Sequence, residues 1–102
     1  MVIVDSDEQI DLLAVIKGVL PSELERFTRS YIVDHVYITL KDISWSYINT
    51  YYRIPLRVYE REKLIHTLNR KLGKIVMGFI QKGILERYNT KTYRKIAYNE
   101  MR

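Results

Sequence analysis

Thr67, Arg70, Lys74 and Gln81 follow one another at intervals of three, four and seven residues, the spacing that sets side chains on one face of a helix. These are residue types that read duplex nucleic acid. An Arg guanidinium holds guanine through two hydrogen bonds, a Gln amide does the same for adenine, and a Thr hydroxyl serves either. A Lys ammonium more often neutralises phosphate. Lys71 adds a cation beside this set, and Arg87, Lys91, Arg94 and Lys95 cluster within nine residues farther on, where they would contact a phosphate backbone.

Other chemistry finds less support. The chain has no Cys and two His, His35 and His66, so there is no thiol nucleophile, disulfide or thiolate zinc site. Neither metal nor cofactor is expected. Asp5, Asp7, Glu8 and Asp11 lack the glycine and closing glutamate of a calcium loop and suit a helix start or a basic partner. A tyrosine nucleophile for strand cleavage would need an acid or histidine beside it, and none accompanies one. Gly73 and Gly78 do not follow a strand, so they form no phosphate loop. Trp45, Tyr47, Tyr51 and Tyr52 near Arg53 could stack bases, although such a stripe is more often core. The chain is expected not to be an enzyme.

Charge placement supports the polyanion reading. The 102 residues carry 17 Lys and Arg against 12 Asp and Glu, a net +5. Residues 1–25 hold a net −5, residues 26–102 a net +10, and residues 53–95 alone +9. The basic portion suits a polyanion, and the acidic end has another task. The apolar fraction of 47% fits a single folded domain. The most apolar run, residues 10–20, is interrupted by Asp11, Lys17 and Gly18 and is far short of the about 20 residues that cross a membrane. Acids rather than bases precede it, unlike a signal peptide. A soluble, cytoplasmic protein without membrane association is expected.

The elements that must position these residues are mostly helical. Ser6 and Gln9 form a capping box before a helix over about 7–20, apolar on more than one face and ended by Gly18 and Pro21. Ser22 and Glu25 form a second box before a helix over 22–34. Residues 36–40 read as a short strand. Thr39 and Asp42 open a helix over about 40–52, with Ile43, Tyr47, Ile48 and Tyr51 as its buried stripe. Pro55 imposes an extended loop over 53–58. From 60 to 82 the pattern is strongly helical. Leu64, Ile65, Leu68, Leu72, Ile75, Val76 and Phe79 share one arc, and Lys63, His66, Thr67, Arg70, Lys74, Met77 and Gln81 lie opposite. Arg61 would fall within the apolar arc. Thr67 or Asn69 could cap a separate last helix, so one helix or two remain open on sequence. Gly83 ends the helix, and 84–88 with 93–98 form a hairpin whose tip is polar and basic.

The order helix, helix, strand, helix, basic helix, hairpin, together with the run Leu72-Gly73-Lys74-Ile75-Val76-Met77-Gly78-Phe79-Ile80-Gln81-Lys82-Gly83-Ile84-Leu85-Glu86-Arg87, resembles the winged helix-turn-helix family. Residues 70–98 are also similar to winged-helix modules of viral and plasmid replication proteins. The wealth of Ile and Tyr with no Cys resembles small DNA-binding proteins of hyperthermophilic archaea, their plasmids and their viruses. The likeness covers residues 36–98. It departs at 53–59, where the connection is longer than the turn of a simple helix-turn-helix.

The resemblance implies a mainly α fold with a small β-hairpin (α+β), a winged helix-turn-helix with an extra N-terminal helix. Residues 1–21 would be an apolar helix and possible homodimer element, 22–98 the winged-helix core, and 99–102 a tail. The function it implies is non-enzymatic binding of double-stranded DNA, as a transcriptional regulator or replication accessory factor working inside the cell, in the host cytoplasm if viral. Helix 68–82 would enter the major groove through Thr67, Arg70, Lys74 and Gln81. Lys71, Arg87, Lys91, Arg94 and Lys95 would contact phosphates. The alternative is a protein-interaction module that holds a partner peptide in a groove between its elements.

Overall fold

The computed structural model describes residues 12–52 and 58–96. The acidic cluster of Asp5, Asp7, Glu8 and Asp11, the Ser6–Gln9 box, the loop around Pro55 and residues 97–102 lie outside them. Four helices and three strands surround one core among the described residues: α1 (Leu12–Lys17), α2 (Pro21–Val33), β1 (Tyr37–Thr39), α3 (Leu40–Tyr51), α4 (Val58–Gln81), β2 (Leu85–Arg87) and β3 (Thr92–Lys95). The fold is mainly helical, with one small antiparallel sheet.

Residues 58–81 form one continuous helix rather than two. Neither candidate cap acts as one. Thr67 Oγ1 donates to the Lys63 carbonyl, and the Asn69 amide hydrogen-bonds Ser44 Oγ at 2.6 Å, joining α4 to α3. Leu64, Ile65, Leu68, Leu72, Val76 and Phe79 are buried, while Ile75 is half-buried at the edge of the arc. Arg61 does not enter the core. It lies half-buried with its guanidinium 5.6 Å from the Trp45 ring, an arrangement that keeps a cation at an apolar margin.

Helix starts follow local chemistry in one case and depart from it in another. Thr39 Oγ1 accepts the Asp42 N–H at 3.1 Å, capping α3 as expected. The Ser22–Glu25 box does not form. Pro21 already occupies the first turn, with Leu20 as N-cap and no side-chain cap, because proline's fixed φ is pre-organised for that position. In α3, Ile43, Tyr47 and Ile48 are buried, but Tyr51 is 41% exposed.

The end of α4 is a Schellman turn. Gly83 has φ 77°, its N–H donates to Ile80 O at 3.0 Å, and the Ile84 N–H donates to Phe79 O at 2.9 Å. The chain thereby reverses directly into β2. The hairpin is only part of the sheet. Its order is β1-β3-β2, with Tyr37 opposite Arg94 and Glu86 opposite Arg94 on the other side. The short strand before α3 therefore joins the hairpin instead of standing alone.

The glycines permit a contrasting test. A Cβ at Gly73 or Gly78 would meet nothing within 4 Å, whereas Gly83 needs its positive φ. Urea titration should show Gly73→Ala and Gly78→Ala each stabilising by about 0.5–1 kcal/mol, and Gly83→Ala destabilising by about 1 kcal/mol or more.

Candidate nucleic-acid interface

The outward stripe of α4 is built by helical geometry alone. With Leu68, Leu72, Val76 and Phe79 held in the core, residues 63, 66, 70, 74, 77 and 81 must face away from it. His66, Arg70, Lys74, Met77 and Gln81 are all exposed. Positions 63 to 81 run along one side for about 27 Å at 1.5 Å per residue. The side chains of Arg70, Lys74 and Gln81 make no hydrogen bond or ion pair with another described residue. Lys74 lies where three shallow depressions meet. One is lined by Arg70, Gly73, Met77 and Gln81, one by Pro21, Lys71 and Ile75, and one by Glu25, Phe79 and Lys82.

The structure separates the other sequence-selected residues. Thr67 is half-buried and its hydroxyl hydrogen is used within its own helix. Lys71 turns away from the stripe. Its Nζ donates to the carbonyls of Lys17 and Val19, the latter at 2.9 Å, and so closes the C-terminal end of α1. Lys95 Nζ does the same for α2, donating to Val33 O at 3.0 Å. Arg94 is paired with Glu86, its Nε 2.7 Å from Oε1. Glu86, through its hydrogen bond and its charge, raises the guanidinium pKa above the ordinary value.

Lys91 stands exposed at the hairpin tip. Asn89 fixes the tip, its Oδ1 accepting the Lys91 N–H at 3.0 Å and the Thr92 N–H at 2.9 Å. Arg87 is exposed, with its guanidinium 5.6 Å from the Tyr93 ring. Arg70, Lys74, Gln81, Arg87 and Lys91 are thus the members of the selected set whose side chains point to solvent without a hydrogen-bonded partner among the described residues.

Lys71→Met tests this division. Removing the ammonium should cost about 1 kcal/mol in thermal or urea unfolding, since two carbonyls lose their donor. Affinity for any ligand of the α4 stripe should change little. A large loss of affinity at unchanged stability would show that Lys71 reaches the ligand.

The aromatic stripe near Arg53 is mainly packing. Phe27 meets Tyr47 edge-on at 5.2 Å between ring centroids, and Tyr47 and Tyr51 lie 4.8 Å apart. Burial, then the neighbouring Tyr52 and Glu23, pushes the Tyr47 phenol far above its usual pKa. Tyr52 is raised chiefly by burial as well. His35 stacks on Tyr31 at 3.8 Å and bonds its carbonyl through Nδ1 at 2.8 Å. Among the described residues no group of three His, Cys, Asp or Glu could hold a metal, and no helix is long and apolar enough to cross a membrane.

One cluster escaped the sequence reading. Tyr37, Glu86, Tyr88 and Arg94 share the sheet face directed away from the buried Ile38 and Leu85. The alternation of exposed Tyr37 with buried Ile38 was the available signal, but three residues are too few to set a period. No protein-family model, curated protein or solved structure matches the chain.

Proposed function

We propose that the chain is a non-enzymatic, winged-helix DNA-binding domain that presents the outward stripe of α4 to the major groove of duplex DNA. The observation that carries this reading is the solvent-facing line of Arg70, Lys74 and Gln81 opposite the buried arc of α4. A helix with its side chains is about 10–12 Å across and enters a major groove about 12 Å wide. Arg70 and Gln81 carry hydrogen-bonding groups for base edges, and Lys74 supplies a phosphate or base contact. Lys91 and Arg87, at and beside the tip that Asn89 fixes, serve flanking phosphates. The winged-helix assignment is supported by β1, which lies between α2 and α3 in sequence and hydrogen-bonds to the second hairpin strand. Lys71, Arg94 and Lys95 are left to intramolecular roles, so fewer phosphate contacts are proposed than the charge count suggests.

The test is a fluorescence titration of labelled duplex DNA between about 50 and 200 mM salt, across which a protein with several phosphate contacts loses orders of magnitude in affinity. Binding at low salt that falls steeply on salt addition supports the proposal. No binding at low salt, or affinity indifferent to salt, overturns it and favours a protein ligand.

A further inference from the structure

The outer face of the sheet carries a second surface, independent of the α4 stripe. Tyr37 and Tyr88 are 53% and 56% exposed and meet edge-on at 5.0 Å. Two of the eight large apolar residues exposed in the described structure thus meet on this face. Such clustering marks interaction surfaces, where scattered single residues do not.

The centre of this face holds one charge of each sign. Arg94 and Glu86 are direct neighbours on adjacent strands. Nε and Nη2 of Arg94 both donate to a single carboxylate oxygen, Oε1, and Tyr37 also engages the guanidinium, which leaves Oε2 for a further partner. Arg94 also lies 5.9 Å from the Tyr88 ring centre, and Tyr and Arg are the residue types favoured at protein interfaces. The paired charges make the face neutral, and Glu86 would repel a nucleic-acid backbone. A uniformly acidic or basic partner would meet one like charge.

A surface with both signs side by side complements itself. We propose that the outer sheet face is a homodimer interface occupied by a second copy of this chain. A two-fold axis along the strands, midway between β2 and β3, sets Arg94 over the partner's Glu86 and Glu86 over the partner's Arg94, as an isologous contact requires. The four charges form an alternating ring, and the exposed tyrosines pack beside it. Packed sheets lie about 10 Å apart, a gap that an Arg and a Glu side chain reaching from opposite sides can span. The stripe of α4 lies outside this contact, so each copy keeps it open.

Sedimentation velocity of the full chain from about 1 µM to about 1 mM brackets a weak contact of this size. The wild type should move from monomer toward twice the monomer mass. Glu86→Arg and Arg94→Glu should each remain monomeric, because each places like charges across the axis. Mixed in equal amounts the two variants should dimerise, since every cross-axis pair then has opposite signs. Circular dichroism melts close to wild type would show that both variants fold, as expected for an exposed pair. A wild type that stays monomeric throughout overturns the proposal. So does a dimer that survives both charge reversals, which would place its interface elsewhere, for example at α1. Variants that do not dimerise on mixing also overturn it.

Discussion

Reversing Arg70 and Lys74 together to glutamate is expected to weaken duplex binding at least about 100-fold at low salt while leaving the fold intact. Loss of one base-directed Arg costs about 1–3 kcal/mol, and 1.4 kcal/mol is tenfold in affinity. Reversal adds repulsion from the phosphates to the lost attraction. The plot of log affinity against log salt should also become shallower by about 1, for the phosphate contact of Lys74. Both side chains are exposed, so unfolding free energy should stay within about 0.5 kcal/mol of wild type. Lys71→Met should show the opposite pattern, with lower stability and nearly unchanged affinity. A double variant that binds like wild type would remove the α4 stripe from the interface.

Phe79→Ala is expected to be the most damaging single core substitution. Phe79 is 2% exposed and the largest of the fully buried side chains. Truncating such a residue costs about 3–5 kcal/mol, because transfer energy is lost and a cavity remains. Domains of this size have about 5–15 kcal/mol in total, so about a fifth or more of the stability is lost. The melting temperature should fall by at least about 12 °C, at about 4–8 °C per kcal/mol for a domain of roughly 100 residues. Phe79 is also the residue whose carbonyl accepts the Ile84 N–H, at the Schellman turn that launches β2. The hairpin should therefore loosen together with the end of α4. The sole tryptophan, half-buried Trp45 on α3, supplies a fluorescence signal for unfolding on the opposite side of the core. Urea curves followed by Trp45 and by helix circular dichroism should shift together. A loss below about 1 kcal/mol would contradict the packing described for Phe79.

Where local chemistry acts over a few residues, the elements were legible. Thr39 caps α3 because its hydroxyl lies three residues from the Asp42 N–H. Gly83 ends α4 because only glycine takes its positive φ without cost. The apolar arc from Leu64 to Phe79 was readable because a long helix repeats its period many times. Short or competing signals were less informative. Ser22 and Glu25 have the spacing of a capping box, yet Pro21 had already started the helix. Thr67 and Asn69 are residue types that cap helices, yet here one bonds its own helix and the other bonds α3.

The sequence alone determined which side of α4 carries cations, since periodicity and charge are both properties of the chain. It also determined the −5 to +10 asymmetry and the turn into the hairpin. Only the tertiary structure decided which cations are available. Lys71 and Lys95 look equivalent to Lys74 and Lys91 in sequence, but the first two meet carbonyls at the ends of α1 and α2. Those carbonyls are 52 to 62 residues away along the chain. The same distance hid the exposed tyrosine face, because Tyr37 and Tyr88 become neighbours only when β1 pairs with β3. An ammonium goes where orphan carbonyls are presented to it, and their position is fixed by packing rather than by any local pattern.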